Sequence, residues 1–182
     1  MSTVACVTGR FQPVHRQHLE LFEIALCDAD HLIVAITNPD PGARHVEPTS
    51  AHRHRPSANP FTFYERARLL EVALAESGLT AVTTIVPFDL TRPDHWAQYV
   101  PRSARQVVRA YSDWERHKAR LFANAGYEVH LLDGDPEHRL SALDIRAQLV
   151  QAPDAGWVDM VPASTVALLR DLLADHAREE IW

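Results

Sequence analysis

Short apolar runs alternate along the chain with stretches of helical periodicity. The runs at 4–7, 31–37, 82–86, 106–110 and 128–132 have the length and composition of buried strands. Between them apolar residues recur every three or four positions, as at Leu19, Phe22 and Leu26, which predicts helices with one buried face. The alternation predicts an α/β fold: a Rossmann-like parallel sheet of five to six strands with helices on both faces.

Helix boundaries are marked by capping residues and glycines. Thr62 and Glu65 form a capping-box pattern, and Gly78 follows the end of that helix at about Ser77. Further helices are predicted at 115–125, from Ser141 onward and at 164–178, with a short helix at 94–102. The whole chain, 1–182, reads as a single domain.

Composition and charge limit the classes of binding partner and the cellular location that we expect. The 18 basic and 24 acidic residues give a net charge of −6, which argues against a nucleic-acid partner. No apolar run is long enough to cross a membrane and the first residues carry no leader, so we expect a cytoplasmic protein without a membrane partner. Cys6 and Cys27 lie in apolar surroundings and are predicted to be small buried residues rather than a redox pair.

A long, proline-rich loop at 38–60 interrupts the regular pattern. It carries the basic residues Arg44, His45, His52, Arg53, His54 and Arg55. Two interpretations stay open: a solvated charged segment, or a clamp over a bound anion.

The turn after the first strand carries the chemistry. Its sequence is GRFQPVHRQH, which places His15 and His18 one turn apart at the start of a helix. Helix N-termini favour phosphate, imidazoles add donors, and the forked guanidinium of Arg10 adds charge. No nucleophile is evident, and neither is a third ligand for a zinc ion. Isolated from its context, such a pair would be surface histidines; within this turn it predicts stabilisation of a transferring phosphoryl group.

Six segments in order resemble one family. After the GRFQP-x-H-x-x-H turn come NPFT-x-x-ER at 59–66, Trp96, LFANAGYEV at 121–129, LSALDIR at 140–146 and W-x-x-x-VP at 157–162. Together they resemble the nucleotidyltransferase superfamily whose signature is His-x-Gly-His, and within it the archaeal-type nicotinamide-nucleotide adenylyltransferases. The likeness extends over nearly the whole chain.

The resemblance implies a reaction. A phosphate on a small acceptor attacks the α-phosphorus of a Mg²⁺-bound nucleoside triphosphate, and pyrophosphate leaves without a covalent enzyme intermediate. The implied catalytic residues are His15, His18, Arg10 and Arg146. The implied nucleotide contacts are Gly9, Phe11, Gln12, Gln17, Ser141 and Asp113, with Trp114 beside it, and the implied acceptor contacts are Trp96, Arg55 and Asn59. No protein metal site is predicted, since Mg²⁺ often relies on substrate phosphates and water.

Two departures from the family pattern leave the substrates open. Gln17 stands where the signature has glycine, and Leu143 replaces the threonine of the last motif. An amide at position 17 makes another base, such as cytosine, a candidate. The alternatives are therefore a CTP-dependent cytidylyltransferase acting on a small phosphonate, a nucleotide-binding regulator without catalysis, and a structural partner-binding domain. A homo-oligomer is compatible with the sequence, which does not fix the oligomeric state.

Overall fold

A computed structural model of the protein describes residues 2–50, 52–151 and 156–178. The predicted single domain also includes residues 1, 51, 152–155 and 179–182, which lie outside the described residues. No helix in the described ranges is long and apolar enough to cross a membrane.

The sheet has five parallel strands in the order β3-β2-β1-β4-β5. They are β1 (Val4–Gly9), β2 (His31–Thr37), β3 (Thr83–Phe88), β4 (Arg105–Ala110) and β5 (Val129–Asp133). The strand order reverses between β1 and β4, where open α/β sheets place their ligands. The fold-class prediction is confirmed, with the lower of the two predicted strand counts.

Five α-helices of the described residues flank the strands. They are α1 (Arg16–Leu26), α2 (Phe63–Glu76), α3 (Asp113–Asn124), α4 (Ala142–Gln151) and α5 (Thr165–Arg178). The capping box at the start of α2 is present, with the Thr62 amide 2.7 Å from a Glu65 carboxylate oxygen. Because capping is a local interaction, this boundary was predictable from the sequence.

Alternate strand residues face two separate apolar layers. Val7 and Val34 join Phe22, Leu69 and Trp157 in a core on one side of the sheet. Cys6, Ile33 and Ala35 face the other side, in a core completed by Phe88, Trp96, Phe122 and Tyr127. The two-residue period of a strand thus covers both faces of the sheet, as the apolar runs predicted.

Three local predictions were wrong. Cys27 is exposed at the end of α1, whereas Cys6 is buried as predicted. The segment 94–102 contains only a three-residue 3-10 turn, Trp96–Gln98, rather than a helix. Helix α3 begins two residues earlier than predicted, because Glu115 accepts hydrogen bonds from both the backbone and the hydroxyl of Ser112.

Candidate functional site

A cavity of about 530 Å³ opens at the carboxyl ends of β1 and β4. Its walls come from the turn after β1, the start of α1, the 38–60 loop, the first half of α3 and the start of α4. The volume suits a small-molecule ligand, and the position is the switch point of the sheet.

Gly9 and Phe11 shape the turn after β1. Phe11 has a positive φ of 50°, and a Cβ on Gly9 would lie 2.8 Å from its ring. Glycine at position 9 therefore lets the buried Phe11 ring fold back under the turn. That ring meets His18 edge-on, with 4.8 Å between ring centroids. Gly9 and Phe11 thus support the imidazole from below.

His15 and His18 are stacked at the start of α1, with ring centroids 3.6 Å apart. The backbone N–H of His15 donates to Nδ1 of His18 over 3.1 Å. This assigns the proton of a neutral His18 ring to Nε2, which is then a donor. Burial and the nearby Arg139 and Arg109 lower the pKa of His15 to about 3. Burial, His15 and Lys118 hold the pKa of His18 well below its ordinary value, so both rings are neutral at pH 7.

Buried arginines brace the turn. Arg66 donates to the carbonyls of Arg10, Thr37 and Asn38 over 2.8–2.9 Å, which ties the ends of β1 and β2 together. Arg10 donates to the carbonyl of Ala58 over 3.0 Å. Its pKa is lowered by burial and then by the charges of other arginines, Arg53 first. The turn therefore concentrates positive charge, which the nearby Glu65 offsets only at Arg66 among these two arginines.

Arg146 reaches the same turn from α4. This buried side chain donates to the carbonyl of Gln12 over 2.7 Å. The side chain of Gln12 donates to the backbone carbonyl of Phe61 and accepts from the backbone N–H of Phe61, both over 2.9 Å. Gln12 thus lies at the cavity wall but holds the chain after the 38–60 loop, rather than presenting its amide to a ligand.

The 38–60 loop enters the cavity through Arg53, not Arg55. The guanidinium of Arg53 stacks on Trp114, with its carbon 4.6 Å from the ring centroid. Its backbone carbonyl accepts from Asn59 over 2.7 Å and lies 3.5 Å from Arg10. Arg55 is exposed and does not line the cavity. The side chain of Asn59 also stays outside, because it is used to fold the loop on itself.

Helix α3 supplies Trp114, Glu115 and Lys118. The Lys118 ammonium donates to the carbonyl of Thr8 over 3.0 Å, and burial lowers its pKa to about 8. One Glu115 oxygen is held by Ser112, and the other accepts from Arg139 over 3.1 Å. Although burial opposes it, the Ser112 hydrogen bond and the Arg139 charge leave the pKa of Glu115 lowered.

The start of α4 closes the cavity. Ser141 lines it and its hydroxyl accepts from the amide of Leu143, as a helix cap does. Gln17 secures the preceding segment: its Oε1 accepts from the Leu140 amide over 2.8 Å, and its Nε2 donates to the His138 carbonyl over 2.6 Å. The Tyr111 hydroxyl also donates to this Oε1. The oxygen of Gln17 is thus engaged within the protein.

The structure gathers most of the predicted site residues. The cavity is lined by Gly9, Arg10, Phe11, Gln12, His15, Gln17, His18 and Ser141, with Arg146 directly behind Gln12. It does not bring Asp113, Arg55, Asn59 or Trp96 there. Asp113 is exposed at the start of α3, whereas its neighbour Trp114 lines the wall. The catalytic and binding roles of the gathered residues stay predictions.

Trp96 requires a specific correction. Its side chain is 2% exposed and packs against Phe88, Phe122 and Tyr127 in the second core. Its indole N–H donates to the carbonyl of Asp89 over 2.8 Å. The ring is therefore part of the core rather than a stacking plane for an acceptor.

Sequence reasoning missed four cationic contacts: Arg53, Arg109, Lys118 and Arg139. Arg53 stood within the basic loop, but the irregular backbone gave no way to tell which arginine turns inward. Lys118 is the sole lysine of the chain and lies in the charged stretch WERHKAR, which is typical of a solvent-exposed helix face. The signal available was its i+4 spacing from Trp114, which places the two on one face of α3.

The site offers no ready-made metal cage. Within the described ranges, no group of three or more acidic, histidine or cysteine side chains is placed to hold a metal ion. Glu115 is the one carboxylate among the described cavity-lining residues, and both its oxygens are engaged. The cavity is therefore cationic, with Arg10, Arg53 and Lys118 in its walls and Arg146 behind them.

Two helix N-termini, neutral donor imidazoles and buried cations meet at the switch point, an arrangement typical of α/β proteins that bind anionic ligands. Comparison with known proteins identifies the family. The cytidylyltransferase-like family model matches residues 6–148. The chain belongs to this family and is a nucleotidyltransferase.

Two of the similar proteins act on different substrates. The chain is 33% identical over 171 residues to a phosphonoformate cytidylyltransferase of Streptomyces viridochromogenes, covering 93% of this chain and 92% of the relative. It is 32% identical over 165 residues to a nicotinamide-nucleotide adenylyltransferase of Haloarcula marismortui, covering 90% and 79%.

Solved structures show the same fold. A bifunctional NMN adenylyltransferase/ADP-ribose pyrophosphatase of Francisella tularensis aligns with a TM-score of 0.71 at 16% identity. The alignment covers all of this chain and 52% of that longer one. A likeness at this identity establishes the fold, and the substrates have to be inferred from the residues of the site.

Proposed function

We propose that the protein transfers a cytidylyl group from CTP to a small phosphonate acceptor and releases pyrophosphate. One observation carries the proposal: Arg10, Arg53, Arg146 and Lys118 are gathered at one cavity without an ion pair to any carboxylate of the described residues. Buried charges without partners are costly, so this arrangement favours a ligand with several negative charges.

The chemistry needs no protein nucleophile or base. A phosphonate oxygen, already anionic, forms a bond to the α-phosphorus while the bond from that phosphorus to the bridging β-oxygen breaks. The pyrophosphate carries the electron pair away. The chain's part is to hold the reactants in line and to neutralise charge on the phosphate oxygens.

Each group has a place in that scheme. The Nε2–H of His18 donates to an oxygen of the α-phosphoryl group, and the neutral ring is kept in that tautomer by the His15 amide. The start of α4, with Ser141 and Arg146, receives the β- and γ-phosphates. Mg²⁺ would be bound by phosphate oxygens and water, because the described residues contain no group of three side chains placed to hold a metal ion. No step is assigned to it.

The acceptor side favours a small charged molecule. With Trp96 in the core, its indole is not available to stack on a nicotinamide ring. The cavity wall instead contains Arg53, which stacks on Trp114, and Lys118, one helical turn after Trp114 in α3. The similarity to the phosphonoformate enzyme over nearly the full length of both chains supports the same assignment.

Adenylyl transfer to nicotinamide mononucleotide is the second candidate, favoured by the archaeal relatives. A substrate grid separates the two. Each of CTP, ATP, GTP and UTP is paired with phosphonoformate, methylphosphonate and nicotinamide mononucleotide, and pyrophosphate and the nucleotidyl product are measured. We expect turnover with CTP and a phosphonate. Preference for ATP with nicotinamide mononucleotide would establish the second candidate instead, and triphosphate binding without turnover in any pair would indicate a regulator.

A further inference from the structure

Lys118 occupies an unusual position for a lysine. It is the sole lysine among 182 residues, all other permanent side-chain cations being arginines. Its side chain is 8% exposed, and it lies in the cavity wall where β1 meets α3. Lysine is among the residues least often buried without a partner, so a purely structural explanation has to find it an anionic neighbour.

Its contacts with the protein leave most of its bonding capacity unused. Among the described residues, the Thr8 carbonyl is the one acceptor within hydrogen-bond distance of the ammonium. An ammonium carries three donors. Glu115 lies on the same helix face and its charge favours the ammonium, but its oxygens accept hydrogen bonds from Ser112 and Arg139 rather than from Lys118.

A second unused donor lies beside it. The hydroxyl of Thr8 is buried and has no described hydrogen-bond partner, and Thr8 also lines the cavity. Lys118 and Thr8 therefore place a cation and a hydroxyl in the wall of the cavity that also contains the Arg53–Trp114 stack. Two oxygens of one small anion match this pair.

The other cations of the cavity already have partners in the proposed reaction. Arg146 and the turn after β1 are assigned to the triphosphate, and the Arg53 guanidinium can hold the phosphonate through its planar fork. The Lys118 ammonium has unused donors and is then available to a second anionic group of the acceptor, such as a carboxylate.

We infer that Lys118, with the Thr8 hydroxyl, binds a carboxylate that the acceptor carries beside its phosphonate. Lys118 is then the residue that selects carboxylated acceptors over uncharged ones of similar size. The inference rests on the proposed function for the identity of the acceptor and assigns its second anionic group to this pair of side chains.

A kinetic comparison tests the selection. For wild type, Lys118→Met and Lys118→Arg, kcat/KM is measured with CTP and either phosphonoformate or methylphosphonate. We expect the ratio of the two values to fall about 10- to 100-fold in Lys118→Met, the cost of one charge-assisted hydrogen bond. Lys118→Arg should retain part of the ratio because it keeps the charge. A role confined to folding would lower both values together and leave the ratio unchanged, which would overturn the inference.

A binding measurement covers the case in which no pair of substrates turns over. Expression with lysine that carries ¹³C at Cε labels the one lysine, keeps its charge and all three donors, and gives a single side-chain ¹³C signal. Lys118→Arg, which lacks that signal, identifies it. In the presence of a non-hydrolysable CTP analogue, phosphonoformate should shift the signal and raise the pH at which it titrates, and methylphosphonate should leave both unchanged.

The two failures are distinguishable. Equal responses to both phosphonates, or no response to either, would contradict the carboxylate site whatever the enzyme's activity. Absence of pyrophosphate in every substrate pair, together with a selective ¹³C response, would contradict the proposed function and retain the site.

Discussion

The side-chain oxygen of Gln17 lies 2.8 Å from the backbone nitrogen of Leu140, across 123 residues of sequence. Together with the bond from its Nε2 to His138, this contact fastens the segment before α4 to the start of α1. The two helix N-termini that face the cavity are thus held in register by one amide. In the family signature that position is glycine, so this chain has a side-chain tie where the signature has none.

Replacing Gln17 should loosen that segment. In Gln17→Ala, loss of three hydrogen bonds, two of them to the segment before α4, is expected to lower the free energy of unfolding by about 1–3 kcal/mol. The Leu140 amide should exchange with deuterium faster, and the KM for the triphosphate should rise. Gln98→Ala, at an exposed position in the Trp96–Gln98 turn, is the matched control. Unchanged exchange at Leu140 would show that the amide does not hold the segment.

Two arginines in one loop give a direct test of which faces the ligand. Arg53 stacks on Trp114 inside the cavity, and Arg55 lies two residues away in solvent. We expect Arg53→Ala to raise the KM of the acceptor or the triphosphate about 10-fold or more, as for a lost charge-assisted contact. Arg55→Ala, with the same change of charge, should have little effect in the same steady-state assay. The reverse order would restore the sequence-based assignment of Arg55.

The buried imidazoles predict a dependence of stability on pH. The folded pKa of His15 is about 3 and that of His18 is well below its ordinary value, whereas the unfolded rings titrate near 6.5. As the pH falls below that value, the unfolded state binds protons first. The stability from the neutral rings is therefore complete above pH 6.5 and is lost progressively toward the folded pKa values.

The expected loss is about 1.4 kcal/mol per pH unit for each ring. Urea denaturation between pH 7.5 and 5.0 measures it, above the range in which most carboxylates titrate. His15→Asn should show a shallower dependence than wild type, and His45→Asn, at an exposed loop position, should match wild type. Pyrophosphate should reduce the wild-type slope, since an anion favours the charged rings. Identical slopes for wild type and His15→Asn would contradict the burial argument.

Local patterns explain how much of the site was predictable. The His15–His18 spacing, the Thr62–Glu65 cap and the start of α4 near Ser141 each depend on residues close in sequence. Lys118 depends instead on β1, 110 residues earlier, whose Thr8 carbonyl receives its ammonium. Arg53 was distinguishable from Arg55 only through its contacts with Trp114 and Arg10, both distant in sequence. Periodicity carries no information about such long-range contacts, so the cationic contacts on the acceptor side were missed.

Trp96 offers the last test, because its position separates a core role from an acceptor role. In Trp96→Phe the chain loses the indole bond to the Asp89 carbonyl and part of the packing against Phe122. We expect the free energy of unfolding to fall by about 1–3 kcal/mol, as for a core substitution that also removes a hydrogen bond.

At a temperature where Trp96→Phe remains folded, its KM for the acceptor should equal that of wild type. Trp114→Phe is the paired variant, because this tryptophan lines the cavity under Arg53 and its replacement should raise that KM. Urea denaturation and steady-state kinetics on both proteins give the comparison. A higher acceptor KM in Trp96→Phe with undiminished stability would place the indole in contact with the acceptor. Nicotinamide mononucleotide would then be the preferred candidate acceptor.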